Sequence, residues 1–199
     1  MTKIKICGLS RPEDIHAVNE AMPDYAGFVF AKSSRQATYD QAFKLRDLLS
    51  PHIKTVGVFQ NAKLEQIKEA LEMDISDIIQ LHGNEDECYI QKLKDITPRP
   101  IIKAISVTCS EDIERWQNSA ANYLLLDNRQ AGSGKSFDWE LVGNYPKLFF
   151  LAGGINYDNV MQAIEKTNPY AVDISSGVET NGKKDREKII FIIRRIRNE

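Results

Sequence analysis

Short runs of apolar, β-prone residues recur along the whole chain, and this recurrence limits the possible folds more than any other feature. Each run is nearly continuous in apolar residues, which is typical of a strand covered on both faces of its sheet. Segments with a helical spacing of apolar residues separate the runs, whose starts lie roughly 20 to 30 residues apart, about one strand–helix unit. The eight runs cover residues 4–7, 27–30, 55–59, 78–81, 101–105, 123–126, 148–151 and 171–174.

The segments between the runs carry helix start signals. Pro12 occupies a position that suits the first turn of a helix. Thr38 with Gln41 forms a capping box, and Thr108 with Glu111 forms a second one. Strands that alternate with helices predict a parallel sheet with right-handed crossovers.

Eight strand–helix units match the count of a (β/α)8 TIM barrel, which leaves no exposed sheet edge. We therefore predict one barrel domain over residues 1–199. Its loops should be short, because 199 residues lie at the lower end of the length range of such barrels. A doubly wound open sheet is the alternative, but no G-x-G-x-x-G motif follows the first predicted strand.

Composition excludes several classes of function. A hydrophobic content of 42% and a charged content of 27% are those of an ordinary globular protein. A net charge of −2 offers no attraction for nucleic acid or an anionic membrane. No signal segment and no apolar run of membrane-spanning length is present. The three cysteines and three histidines lack disulfide or zinc spacing. We expect a cytoplasmic protein without a metal site.

Small and polar residues gather at the carboxyl ends of the predicted strands, where barrel enzymes have their active sites. Gly153 and Gly154 follow the seventh strand, and Ser175, Ser176 and Gly177 follow the eighth. Loops at these two places commonly bind phosphate through backbone amides and a short helix. Either segment alone is explained equally well by a tight turn, whereas the two together predict a phosphate site.

Two further strand ends suggest proton transfer. Cys7 ends the first run, where a lone cysteine is commonly a small buried hydrophobe. To act as a base it needs a pKa lowered from about 8.5, and His82 or Arg35 could supply the positive charge. Asp127 ends the sixth run, where desolvation would raise its pKa and suit a proton donor, although a cap or an ion pair is the alternative. Together they form a candidate acid–base pair.

The stretch RQAGSGKSF at residues 129–137 contains the end of a nucleotide-binding P-loop motif. The first glycine of that motif would fall at position 129, which holds arginine. A P-loop also runs into a long helix, whereas barely two helical turns follow here. These departures argue against a nucleotide site.

Taken together, the motifs resemble the phosphoribosylanthranilate isomerases of tryptophan biosynthesis over essentially the whole chain. The matching segments are KICGL, GFVFAKSSR, VGVFQN, QLHGNE, LLLDN with GSGKSFDW, LAGGI and VDISSGVE. The resemblance implies a cofactor-free Amadori rearrangement of a small phosphoribosyl substrate. In it, N-(5-phosphoribosyl)anthranilate becomes 1-(2-carboxyphenylamino)-1-deoxyribulose 5-phosphate.

The resemblance also implies residue roles. Asp127 would be the general acid that opens the ribose ring, and Cys7 the general base that removes the C2 proton. Arg35 would bind the anthranilate carboxylate, which suits a guanidinium fork. The substrate site would further include His82 and Asp173, with the phosphate held by Gly154, Ser176 and Gly177.

The glycine-rich segment after strand six would be a flexible cover over the substrate that includes Gly132, Gly134 and Lys135. Four positions depart from the usual family pattern and bear on loop stiffness: Ser34, Asn84, Ala131 and Ser136. Residues 181–185 are less typical of the family and have no assigned function.

Three other readings remain open at this point. An indole-glycerol phosphate synthase would need a catalytic lysine, for which Lys5 and Lys103 are candidates by position. A sugar-phosphate epimerase would be expected to present several carboxylates or metal-binding histidines at the strand ends. A non-catalytic barrel could instead sense a sugar phosphate. Both a monomer and a homodimer are compatible with the sequence.

Overall fold

The computed structural model describes residues 1–128, 138–143 and 145–198. Eight parallel strands form a closed barrel in which each strand pairs with the next and the last pairs with the first. Every predicted run overlaps one strand, so the predicted (β/α)8 barrel is confirmed. The strands are β1 (Lys3–Cys7), β2 (Tyr25–Val29), β3 (Lys54–Phe59), β4 (Ile78–Leu81), β5 (Ile101–Val107), β6 (Tyr123–Asn128), β7 (Phe149–Leu151) and β8 (Ala171–Ile174).

Helices surround the barrel and connect most of its strands. A short 3₁₀ helix, Trp139–Val142, lies between β6 and β7, and a second, Ser176–Val178, follows β8. No helix in the described part of the chain is long and apolar enough to span a membrane. The α-helices are α1 (Pro12–Ala21), α2 (Tyr39–Asp47), α3 (Leu64–Glu72), α4 (Glu87–Ile96), α5 (Ser110–Glu114), α6 (Val160–Thr167) and α7 (Arg186–Arg197).

Two apolar cores follow from the alternation of side chains along each strand. The larger core lies between barrel and helices and contains Ile4 and Phe28. The smaller core fills the barrel interior and contains Ile78, Leu125 and Phe150. Covering both sheet faces explains why the strands appear in the sequence as continuous apolar runs.

One of the two predicted capping boxes is correct. Thr38 and Gln41 exchange hydrogen bonds at the start of α2, with distances of 3.2 and 2.9 Å. The predicted box of Thr108 with Glu111 is wrong, because α5 begins at Ser110 and its N-cap residue is Cys109, one residue after Thr108. The carboxylate of Asp112 instead accepts hydrogen bonds from the Thr108 amide and hydroxyl at 2.8 and 2.7 Å.

Residues 179–184, between β8 and α7, form a small antiparallel hairpin. Its strands are β9 (Glu179–Thr180) and β10 (Lys183–Lys184). Asn181 and Gly182 have φ values of 52° and 73°, as a two-residue turn with two left-handed positions requires. The hairpin lies directly after the second 3₁₀ helix and therefore close to the mouth of the barrel.

Candidate active site

Polar side chains line the inner face of the barrel at its carboxyl end. Asp127 is two residues after Leu125, and Asp173 is two residues after Ala171, both members of the inner core. Residues two apart on a strand share a face, so both carboxyl groups point into the barrel. Cys7 lies on the same face as Lys5, whose Nζ donates to Asp173 Oδ2 at 2.8 Å. The barrel thus places Cys7, Asp127 and Asp173 on its inner face at the carboxyl end.

Cys7 is buried, with 7% of its surface exposed. Burial raises the pKa of its thiol, and the positive charge of Lys5 and, more weakly, Lys184 only partly opposes that shift. The pKa of Cys7 is therefore shifted in the direction opposite to the one expected from the sequence. The expected source of positive charge also differs, because His82 pairs with Asp127 and Lys5 is the cation beside the thiol.

Lys5 and Asp173 form an ion pair inside the barrel. The Lys5 side chain has no exposed surface, and that of Asp173 is 8% exposed. Burial favours the neutral amine, but Asp173 and Cys7 outweigh it and raise the pKa of Lys5. Asp173 Oδ1 makes no hydrogen bond within the described residues. Lys5 is therefore held in its protonated form at neutral pH.

Asp127 lies between two hydrogen-bond donors. Its Oδ1 accepts from the Asn128 amide at 2.7 Å, and its Oδ2 lies 3.5 Å from His82 Nε2. The other ring nitrogen of His82 lies 2.9 Å from Gln80 Nε2. Asp127 and His82 both line a cleft of about 560 Å³ over the ends of β3 to β6. This carboxyl group is thus oriented by its neighbours and reachable from the mouth.

The two loops predicted to bind phosphate lie against each other. Gly153 and Gly154 have φ values of 81° and 68°, a region that favours glycine. A Cβ atom on Gly177 would lie 2.0 Å from the Ile155 carbonyl oxygen, so only glycine allows this approach. Ser175 Oγ donates to the Cys7 carbonyl at 3.1 Å and ties the β8 loop to β1. Ser176 begins the short 3₁₀ helix there.

Arg35 reaches the mouth but already holds a carboxylate of the protein. Its Nε and Nη2 donate to the two oxygens of Glu179 at 2.6 and 2.8 Å. Gly8 makes room for this side chain, because a Cβ atom there would lie 2.5 Å from Arg35 Cδ. The sequence predicted the arginine but not Glu179, which no periodicity or motif had marked as an ion-pair partner.

Two further predictions concern Lys103 and the glycine-rich cover, and Lys103 lines the same cleft as Asp127 and His82. Lys103 points outward from β5, and its Nζ donates to Glu85 at 2.9 Å and to the Gly83 carbonyl at 2.6 Å. Gly132, Gly134 and Lys135 of the predicted cover lie outside the described residues. Within the described ranges, no group of three or more histidine, cysteine or carboxylate side chains is placed to hold a metal ion.

Sequence reasoning also overlooked Lys5 as a partner of the thiol and Lys184 as a partner of Glu179. A usable signal existed for Lys5, which is a charged residue between Ile4 and Ile6 and so had to lie on the inner face of a buried strand. Lys184 carried no such signal, because it follows the barrel strands in a polar segment without an apolar pattern.

The protein is a closed (β/α)8 barrel, with charged groups inside its mouth and glycine-rich turns after β7 and β8. These groups lie at the carboxyl ends of the strands, where barrel enzymes have their active sites. The model of the N-(5'phosphoribosyl)anthranilate (PRA) isomerase family matches residues 4–195. This match covers nearly the whole chain. The chain belongs to this family.

Individual relatives agree with this assignment. The N-(5'-phosphoribosyl)anthranilate isomerase of Clostridium acetobutylicum is 48% identical over 205 residues, covering 99% of this chain and 98% of the relative. The crystal structure of phosphoribosyl anthranilate isomerase from Thermotoga maritima superposes with a TM-score of 0.92 at 35% identity over both entire chains. A further structure of such an isomerase, in complex with reduced 1-(o-carboxyphenylamino)-1-deoxyribulose 5-phosphate, has a TM-score of 0.89 at 35% identity, again over both chains.

Proposed function

We propose that this chain isomerises N-(5-phosphoribosyl)anthranilate to 1-(2-carboxyphenylamino)-1-deoxyribulose 5-phosphate, a step of tryptophan biosynthesis, in the cytoplasm. The reaction moves protons and breaks one C–O bond, so the protein must supply an acid and a base. The observation that carries the proposal is that Asp127 and Cys7, from β6 and β1, face the same barrel mouth. All of the residues proposed here come from one chain, so a monomer and a homodimer are both compatible.

Asp127 is the general acid in this proposal. Its proton passes to the ribose ring oxygen, the C1–O bond breaks, and the open chain becomes a Schiff base. The carboxylate that remains accepts a hydrogen bond from the Asn128 amide, and its Oδ2 lies 3.5 Å from His82 Nε2. With the Gln80 side-chain nitrogen as donor, His82 Nδ1 is an acceptor, which places the ring hydrogen on Nε2. Gln80 and His82 thereby support the loss of the proton.

Cys7 is the general base. As a thiolate it removes the C2 proton of the Schiff base, and the resulting enolamine tautomerises to the ketone. Lys5 stabilises the thiolate from the same strand, while Asp173 keeps Lys5 in place. Because burial raises the pKa of the thiol, the thiolate is a strong base when it forms. We therefore expect the rate to rise with pH through the neutral range.

The two ends of the substrate have separate anion sites in this proposal. Arg35 receives the anthranilate carboxylate, and the turns with Gly153, Gly154 and Gly177 receive the 5-phosphate. The complex of the related isomerase supports this arrangement, since its ligand carries both groups. Anion sites at both ends would hold the ribose between the acid and the base.

The test uses substrate generated in situ and follows the loss of its fluorescence. We expect turnover by the unaltered protein and a fall of at least ~10²-fold in kcat for Cys7→Ser and for Asp127→Asn, the usual scale for acid–base groups. Cys88→Ser and Asp47→Asn, at exposed positions, make the same chemical changes and should keep full activity. Absence of turnover by the unaltered protein would refute the activity. Full activity of the site variants would refute the residue roles alone.

A further inference from the structure

The hairpin of β9 and β10 places a buried lysine beside the proposed carboxylate site. We propose that Lys184 is a positioning residue that neutralises Glu179 and so keeps the Arg35 guanidinium attractive to the substrate carboxylate. This inference rests on the proposed function and gives a task to a segment for which the sequence suggested none.

Glu179 lies between two cations. Arg35 contacts both of its carboxylate oxygens, and Lys184 Nζ donates to Oε1 at 2.7 Å. The side chains of Glu179 and Lys184 are only 7% and 2% exposed, and that of Arg35 is 25% exposed. The arginine is therefore the member of the group that a ligand in the mouth can reach.

The charges of this group decide what an incoming carboxylate meets. Burial by itself raises the pKa of Glu179, but hydrogen bonds from Arg35 and Lys184 outweigh it and hold that pKa at about 2. Glu179 is consequently an anion at neutral pH, and Arg35 with Glu179 alone would be a neutral pair. With Lys184 the group carries a net charge of +1, which favours the binding of a second carboxylate.

Lys184 also gives Glu179 a partner that does not depend on Arg35. A buried carboxylate that loses its counter-charge is strongly destabilised. If the substrate carboxylate takes over one edge of the guanidinium, Glu179 remains paired with the lysine. Arg35 can then share its donors between two carboxylates at low cost.

The position of Lys184 is itself fixed by the barrel. Its Nζ also donates to the Ser175 carbonyl at 2.9 Å, and the hydroxyl of Ser175 binds the Cys7 carbonyl. All of its contacts use the nitrogen as a donor, which suits an ammonium group, although burial lowers the pKa of this lysine and Glu179 only partly opposes the shift. The neighbouring Lys183 is exposed and offers a matched control on the same hairpin.

The experiment compares variants and substrates in one cycle. Lys184→Gln, Lys183→Gln and the double variant Lys184→Gln/Glu179→Gln are assayed with the anthranilate substrate and with its aniline analogue, which lacks the carboxylate. KM is measured for the analogue as well. Where the analogue is turned over too slowly, its inhibition constant against the anthranilate substrate is measured instead. We expect Lys184→Gln to raise KM for the anthranilate substrate about tenfold and to change the value for the analogue less than about threefold.

The control and the double variant distinguish an effect of the Lys184 charge from a structural effect of the substitution. Lys183→Gln should change neither value. The double variant restores the net charge of +1 on Arg35 and should return KM to within about threefold of the unaltered protein. It also removes both buried charges together, so it tests the proposal even if Lys184→Gln fails to fold.

Three outcomes would overturn the proposal. An equal rise for both substrates would make Lys184 a purely structural residue. A double variant that keeps the tenfold, carboxylate-specific loss would show that neutralising Glu179 is not the role of Lys184. Kinetics of Lys184→Gln that match those of Lys183→Gln would show that the charge has no effect. In each of these cases the proposed function stands. Failure of the unaltered protein to turn over the anthranilate substrate would instead remove the proposed function, and this inference with it.

Discussion

At the residue scale, two opposing effects of the barrel mouth set the ionisation of Cys7. Burial at the barrel mouth favours the neutral thiol, whereas Lys5 favours the thiolate. Burial is the larger effect, and it raises the pKa of the thiol above its ordinary value. A thiol with a raised pKa holds less thiolate at neutral pH, and its thiolate fraction continues to grow above pH 9.

This balance predicts how Cys7 reacts with iodoacetamide. At pH 7 it should be alkylated clearly more slowly than the exposed Cys88, because its thiol is buried and its own pKa is raised. Its rate should keep increasing between pH 9 and pH 10. Peptide mapping by mass spectrometry measures both rates in the same sample. Faster labelling of Cys7 than of Cys88 at pH 7 would show that the cations prevail over burial.

At the scale of elements, the mouth depends on the close approach of two turns. The 3₁₀ helix after β8 lies directly against the Ile155 carbonyl of the turn after β7, and Gly177 leaves no room for a side chain. The neighbouring atoms are backbone, which cannot move aside as the end of a flexible side chain could. The relative position of the two proposed phosphate-binding turns thus depends on one glycine.

Gly177→Ala should therefore push these turns apart. We expect a loss of about 1–3 kcal/mol in the free energy of unfolding, the usual range for an overpacked site, and a higher KM for the phosphorylated substrate. Urea denaturation and initial-rate kinetics measure the two effects. Lys183→Ala, on the exposed hairpin nearby, is the comparison and should change neither. A variant with unaltered stability and KM would mean that the contact relaxes freely.

At the scale of the whole molecule, one closed sheet carries two cores on its two faces. Phe150 belongs to the inner core and is fully buried, with its ring 5.5, 5.6 and 5.7 Å from those of Tyr25, Tyr123 and Tyr170. These contacts join β2, β6 and β7 across the amino-terminal half of the barrel. Loss of this ring would remove packing shared by strands far apart in the sequence.

Phe150→Ala should cost about 3–5 kcal/mol in the free energy of unfolding, as is usual when a buried phenylalanine is truncated. Phe191, which is 54% exposed on α7, allows the same substitution without opening a cavity. Phe191→Ala should change stability by no more than about 0.5 kcal/mol. Equilibrium urea denaturation measures the free energy of unfolding of both variants. Equal losses in that free energy would contradict the assignment of Phe150 to an inner core.

Much of this architecture could be predicted from the sequence because it repeats locally. Each strand is short, apolar on both faces and separated from the next by a helical pattern, so eight units could be counted without coordinates. The ends of those strands also marked Cys7, Asp127 and the turns of Gly153 and Gly177 as residues of the mouth, since every parallel strand ends on the same side.

The sequence alone thus determined the barrel, the side of the barrel that carries the site, and the family. Only the tertiary structure decided how the charged groups pair. Lys5 meets Asp173 across 168 residues, and Arg35 meets Glu179 across 144. These contacts arise because β8 closes against β1, and no local pattern encodes them. The raised pKa of Cys7 has the same origin, since burial and charge at a barrel mouth are set by neighbours that are distant in the chain.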